Sequence, residues 1–266
     1  MSYQIKFFLK NAGDFSANPH VTATASQGNA TAANVLDRKN TTAWLTSGSV
    51  DADNTTLVID FVDPFYLTDV MLVKHNFASY KVEYWNGAAY QAFPTAIDVT
   101  GNSATTTAHS FAGTTTTKVK LTVRGTINPN DDKTLYQFIN TELLGQLNGW
   151  PMIKKPTIGK NKRRSGMLSG KTAIARNLGA VSFSLEIPVH SDTADIDLLA
   201  GLFDRSDGFL VWPCGGSESQ FTRAVEPYRL QDIYCMATQD DFNPEWYQGL
   251  YKAGVSWRCQ LVEVND

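Results

Sequence analysis

Between residues 57 and 123 the chain repeats one arrangement: a short run of alternating apolar and polar residues, then a turn. Leu57-Val58-Ile59-Asp60-Phe61 is one such run, and Asp69 to Val73 is another. Ser79 to Trp85 alternates, and Asn86-Gly87 follows it directly as a hairpin signal. Thr117 to Val123 alternates again, with Val119, Leu121 and Val123 on one face. A period of two suits a strand with one buried face and suits no helix. Short strands joined by turns stack in two layers, so this stretch predicts a β-sandwich. Threonine occurs 20 times in residues 1–130 and 7 times afterwards, and a β-branched residue fits a pleated surface. The run Ala104 to Thr117, with seven threonines, reads as a strand pair around Ala112-Gly113 or as a mobile loop.

The chain changes character near residue 130. Asp and Glu occur 9 times before it and 17 times after it; Lys and Arg occur 9 and 14 times. Thr126 to Lys133, rich in Asn, Pro and Asp, is the natural boundary. Beyond it, Val181 to Val189, Phe209 to Trp212 and Gly254 to Val264 read as strands. One helix is predicted, about Thr193 to Phe203, with Ser191 or Asp192 as cap and Asp195 and Asp197 in its first turns. Ile196, Leu199 and Phe203, with Leu198 and Leu202 beside them, form its apolar stripe. Leu135 to Pro151 is open between helix and strand. The expected division is residues 1–18 as an N-terminal strand of the second domain, 19–127 as the sandwich and 128–266 as a second β-rich domain. The fold class is mainly β: a sandwich plus a β-rich domain with one short packed helix.

The composition excludes several classes. A length of 266 residues, 42% hydrophobic and 18% charged, gives a substantial core and excludes wholesale disorder. A formal net charge of −3 argues against a globally basic nucleic-acid binder. No stretch approaches the roughly 18 apolar residues of a membrane helix, so no membrane partner is expected. MSYQIKFFLKN reads as a strand rather than a signal peptide, so a soluble chain made in the cytoplasm is expected. On that expectation the Asn-x-Thr triplets at Asn29, Asn40 and Asn54 carry no glycosylation meaning. Cys214, Cys235 and Cys259 fit neither a disulfide framework nor a zinc knuckle and read as small, partly buried residues.

No catalytic signature emerges. Gly170-Lys171-Thr172 looks like the end of a P-loop, but Ser165 stands where that motif needs its first glycine. His20, His75, His109 and His190 are scattered without ligand spacing. Asp240-Asp241 reads as a turn start because Asn243-Pro244 follows. No enzyme, cofactor or metal is expected.

Ala25-Ser26, Ala32 to Asp37 and Thr42-Ala43-Trp44, followed in order by Leu57–Phe61, Asp69–Val73, Tyr80–Tyr84 and Lys118–Leu121, resemble discoidin domains. These are also called coagulation-factor type C domains and share the galactose-binding-like jelly roll. The likeness runs from about Val21 to Gly125. It implies core roles for Trp44 and Leu36, and it places Asp37 in a loop that holds calcium in many relatives. Arg38 and Lys39 stand where those relatives carry glycine and an acidic residue, and a lysine ammonium opposes the ion. The resemblance also implies sugar binding on an aromatic platform with polar donors. The candidates are His75, Asn76, Phe77, Trp85 and Asn86; the alternative is that they pack the core or cap loops.

The second half resembles, in its order of elements, tail-tip proteins of long-tailed phages, of the distal-tail or baseplate-hub kind. Val73 to Phe77 looks like a variant in discoidin modules of phage structural proteins. If the N-terminal strand pairs beyond residue 130, the sandwich is an insertion. Residues 154–176 hold Lys154, Lys155, Lys160, Lys162, Arg163, Arg164, Lys171 and Arg176 and no acidic residue. Three readings stand: a solvated loop, a phosphate-tracking run, or an arm docking on an acidic patch of the next subunit. Without aromatics for stacking, nucleic acid is not expected. Asp192, Asp195, Asp197, Asp204 and Asp207 form one such patch; Asp240, Asp241 and Glu245 form another. Complementary patches on different faces close into rings. The resemblance therefore implies a structural virion protein at the tail tip. It would form a homo-oligomeric ring, hexameric or trimeric, beside other tail proteins, with a sandwich that braces subunits or touches host glycan. The alternative is a stand-alone carbohydrate-binding or adhesion module.

Overall fold

A computed structural model describes residues 5–15, 19–38, 42–147, 152–166, 172–190, 193–205, 208–212, 234–238, 245–248 and 253–263; within 152–193 and beyond 212 it describes backbone only. The early elements are β1 (Lys6–Phe8), α1 (Ala12–Phe15), β2 (His20–Ala23), β3 (Trp44–Leu45), β4 (Thr55–His75), β5 (Phe77–Trp85), β6 (Tyr90–Val99), β7 (Thr107–Thr126) and β8 (Thr134–Thr141). After them come β9 (Leu143–Gln146), β10 (Met152–Gly166), β11 (Thr172–His190), α2 (Thr193–Phe203), β12 (Phe209–Trp212), β13 (Tyr234–Thr238), β14 (Glu245–Gln248) and β15 (Ala253–Glu263). The chain is mainly β and divides into two compact units. One is Leu9–Leu143; the other combines Met1–Phe8 with Leu144–Asp266.

The Leu9–Leu143 unit is an antiparallel sandwich organised by two long strands. β4 and β7 pair with each other twice. Thr55–Asp60 faces Lys118–Val123 in a layer that continues into β2 on one side and β5 and β6 on the other. Phe65–Leu72 faces Thr107–Thr116 in a layer that continues into β8 and β3. The register shifts between Asp60 and Phe65, where both strands change layers; bends of this kind make sandwich corners. Val62 lies in the shift with φ of 69°, and Pro64 there has no N–H to lose from the ladder. The low-complexity run is thus neither a loop nor a hairpin. From Thr107 onward it is the first half of β7.

Alternation explains the core. Leu57, Ile59 and Phe61 of β4 point inward, against Val82 of β5 and Val119 and Leu121 of β7, all fully buried. Burying a side chain of this size contributes about 1.5–3 kcal/mol. Trp44 is fully buried too, and its Nε1 donates to the Ala25 carbonyl at 2.9 Å, which satisfies its polar end. Leu36, at the end of a 3-10 turn over Ala32–Leu36, packs against the same core.

Thr126 to Lys133 does not separate domains. It turns from β7 into β8, and β8 pairs with β4 from Asp69↔Thr141 to His75↔Leu135. The two ends of the unit meet: Leu9 N donates to the Glu142 carbonyl at 2.9 Å, and Thr141 Oγ1 donates to the Leu9 carbonyl at 2.6 Å.

In the other unit the strand order is β10-β11-β15-β13-β12-β1-β9, with β14 on β15. β1 pairs antiparallel with β12, Lys6 opposite Trp212, so the sandwich is inserted between segments of one unit. Phe7 and Phe209 meet edge to face at 5.9 Å. Leu199 and Leu202 of α2 are buried, while Ile196, Leu198 and Phe203 are half-buried. Asp195, expected on an acidic surface, is instead buried; Asp197 and Asp204 are exposed. Of Leu135–Pro151, the described part contains strands β8 and β9, and residues 148–151 lie outside the described residues. The basic segment is a β-hairpin rather than a loop. Lys154, Lys155, Lys160, Lys162, Arg163 and Arg164 lie on β10, and Lys162 stands opposite Arg176 of β11. Lys171, Lys39, Ser191, Asp192, Asp207, Cys214, Asp240 and Asp241 lie outside the described residues.

Candidate functional site

Of the five expected sugar-binding residues, His75 and Phe77 are buried and Asn76 is engaged by backbone hydrogen bonds. β4 is buried on both faces from Val70 to Val73, and His75 and Phe77 continue that interior. Their rings stack at 4.9 Å. His75 Nδ1 accepts the Phe77 N–H at 3.1 Å, so in the neutral ring Nε2 carries the proton and donates to Thr107 Oγ1, also at 3.1 Å. The Tyr80 hydroxyl joins Thr107 Oγ1 at 2.9 Å and His109 Nε2 at 2.8 Å. Burial, with His109 adding to it, pushes His75 down to about 4; burial alone pushes His109 down and dominates in pushing Tyr80 up. His75 and Tyr80 are buried in this network, and Thr107 and His109 are half-buried. Asn76 holds the β7–β8 turn, its Nδ2 donating to the Asp132 carbonyl at 2.8 Å and its Oδ1 accepting from Thr134 N at 2.9 Å.

The other two residues lie at the β5–β6 hairpin. Asn86 Oδ1 accepts from Ala88 N and Ala89 N, each at 2.9 Å, and so fixes the loop. Gly87 has φ of 100°, a conformation that excludes most side chains. Trp85, the last residue of β5, is half-buried on the outer face. The hairpin register brings Tyr90 opposite it, and the two rings meet edge to face at 5.1 Å.

The same alternation that buries Val82, Val119 and Leu121 turns Glu83, Lys118 and Lys120 outward beside this pair. Lys120 Nζ lies over the Tyr90 ring, 4.3 Å from its centre. Glu83 receives Lys81 Nζ at 2.7 Å and Lys120 Nζ at 2.8 Å. Burial works upward on the Glu83 carboxyl, but the bonds from Lys120 and Lys81 prevail and hold it below the usual range. Lys118 bonds Asp60 at 2.6 Å, which raises the Lys118 ammonium and, against burial, lowers Asp60. Burial first, then the charges of Asp60 and Glu83, push the Tyr90 phenol up against the opposing pull of Lys118. The face therefore offers an aromatic edge bordered by polar groups that fix one another. It can stack on an apolar ring face and hydrogen-bond its rim.

Tyr90, Glu83 and the lysines were absent from the sequence-based site. The lysines were legible, because Thr117–Val123 puts Lys118 and Lys120 on the side opposite its apolar residues. Tyr90 needed the hairpin register.

Asp37 accepts from the Thr42 hydroxyl, and Arg38 Nε reaches Asp14 at 3.0 Å. Among the described residues no group of three or more His, Cys, Asp or Glu side chains is placed to hold a metal.

No family model matches the sequence, and no curated protein matches it. Solved structures do. The chain is similar to chitosan-binding module 1 of a chitosanase/glucanase from Paenibacillus sp. IK-5, with a TM-score of 0.43 and 16% identity over 50% of this chain and 98% of that one. It is similar to CpGH89CBM32-5 from Clostridium perfringens, solved in complex with GalNAc-beta-1,3-galactose, with a TM-score of 0.40 and 15% identity over 48% of this chain and 96% of that one. A putative alpha-L-fucosidase from Bacteroides thetaiotaomicron gives a TM-score of 0.42 and 16% identity over 48% of this chain and 28% of its own.

Proposed function

We propose that the Leu9–Leu143 unit is a non-catalytic carbohydrate-binding module and that its sugar site is the outer face at Trp85 and Tyr90. The observation that carries this is the aromatic pair itself. Trp85 and Tyr90 are half-buried, held edge to face at 5.1 Å, and bordered by Lys120 and Glu83. Sugars present a C–H face to stack and a hydroxyl rim to bond, and this arrangement answers both needs. Affinity electrophoresis of the full chain through gels containing soluble polysaccharides tests it. Retardation by at least one polymer is expected, and Trp85→Ala should reduce it at least about ten-fold if stacking supplies 1.4 kcal/mol or more. A Trp85→Ala protein retarded like the wild type would remove the site.

A second reading concerns the other unit, between whose segments the sandwich is inserted. We propose that it is an assembly domain of the phage tail-tip kind, located in the virion. Copies would join head to tail into a ring, through the basic residues of the β10–β11 hairpin, beside other tail proteins. Light scattering tests it: a hexamer of the 29.3 kDa chain would weigh about 176 kDa. A monomer at every concentration would count against it, as would unchanged assembly after reversing Lys162, Arg163 and Arg164 to Glu.

A further inference from the structure

The charge count on the Trp85 face is unbalanced. Lys81 and Lys120 approach one carboxylate, that of Glu83, at 2.7 and 2.8 Å. The neighbouring cations are matched one to one: Lys118 with Asp60 at 2.6 Å and Arg124 with Asp98 at 2.8 Å. The shared carboxylate therefore leaves one positive charge in the middle of the face. It resides on groups that can still bind. Each ammonium has three N–H donors and spends one on Glu83. The Lys81 and Lys120 side chains are 34% and 23% exposed, while Glu83 between them is 12% exposed. Lys120 also lies over Tyr90, so its free donors sit at the rim of the aromatic edge.

The geometry points to an acidic sugar, a uronate, as the unit this face prefers, its ring on Trp85 and its carboxylate as the second anion shared by Lys120 and Lys81. This rests on the reading of the face as a sugar site. A uronate carboxylate has the shape and charge of the Glu83 carboxylate that the lysines already hold. It would make the pairing two to two. A neutral sugar would leave the excess charge to solvent.

The test is affinity electrophoresis of the full chain in gels containing polygalacturonate, its fully methyl-esterified form, dextran sulfate, or a panel of neutral polysaccharides. Esterification removes the charge and leaves the sugar backbone unchanged. The expected result is an affinity for polygalacturonate about two- to five-fold above that for the ester, since part-exposed ion pairs are worth factors of this order. Lys120→Met should erase most of that preference. Glu83→Gln should strengthen polygalacturonate binding, because it frees both ammoniums; a purely structural role for Glu83 predicts weakening. Trp85→Ala should weaken both polymers alike. Equal affinity for the acid and its ester would overturn the inference and leave the sugar reading standing. So would weaker binding by Glu83→Gln, or dextran sulfate binding as tightly as polygalacturonate, which marks a generic polyanion effect. Retardation by neutral polysaccharides alone overturns the inference only. Retardation by nothing overturns both.

Discussion

Lys133 and Val50 are 83 positions apart, and the buried ammonium of the first donates to the carbonyl of the second at 3.0 Å. The same nitrogen donates to the Asp53 carbonyl, also at 3.0 Å. The lysine thus ties the Val50–Asp53 turn to the β7–β8 turn from inside. Asp51 secures the same junction from the other direction, accepting from Thr126 N at 3.0 Å and Thr126 Oγ1 at 2.9 Å. Lys133→Met keeps the stem and removes the charge, leaving two carbonyls without their donor. It should cost about 2–4 kcal/mol. Urea denaturation checks this, and a loss under 1 kcal/mol would make the ammonium dispensable.

The buried histidine makes the sandwich sensitive to mild acid. His75 is held down to about 4 in the fold, by burial first and then by His109, against an ordinary value of 6.5. Below pH 6.5 the unfolded chain takes a proton that the native chain refuses, so stability falls as pH drops. The fall from this group ends near pH 4, where the native ring also protonates. A difference of roughly 2.5 pK units amounts to about 3 kcal/mol. Melting temperature measured from pH 7 to 4 should decline, and His75→Gln should flatten that decline. Parallel profiles for the two proteins would assign the acid sensitivity elsewhere.

Asn76 separates the two readings of its neighbourhood. As a sugar ligand it would control affinity; as the clasp between Asp132 and Thr134 it controls stability. Asn76→Ala should lower stability by about 1–2 kcal/mol, for two part-buried backbone partners left unmet, and leave glycan affinity of the folded protein unchanged. The reverse pattern would return Asn76 to the site.

Val62 carries strain at an exposed corner. A β-branched residue at φ of 69° pays about 1–2 kcal/mol that asparagine largely avoids. Val62 is 56% exposed, so little burial is lost on replacing it. Val62→Asn should stabilise the protein by about 0.5–1 kcal/mol, seen as a higher melting temperature. A lower one would show that the valine has contacts that outweigh its backbone.

Local periodicity carried the readable part of the fold. α2 and β12 have the bounds their residues suggest, and Ser79–Trp85 lies within β5. The misreadings arise where one element obeys two environments. Asp63-Pro64 looks like a turn between separate strands, yet β4 continues through it, because the bend carries the strand from one layer to the other. Val73-Lys74-His75-Asn76-Phe77 mixes polar and aromatic residues in the manner of a binding loop. Its polarity is satisfied inside, by Thr107, Asp132 and Thr134, and those partners are 32, 56 and 58 positions away. The Trp85 site was half visible for the same reason: its own strand shows Trp85 and Glu83, while Tyr90 and Lys120 arrive by cross-strand register.

The meeting of Leu9 with Glu142 has a consequence for the ancestry of the chain. A segment of 135 residues that leaves and returns within one hydrogen bond occupies no more of its host than a tight turn does. Deleting it would ask the flanking strands to bridge a gap that two or three residues can span. Such a cassette can be acquired, exchanged or discarded in a single genetic event with little disturbance to the surrounding sheet. The inserted unit and its host are therefore free to diversify at different rates.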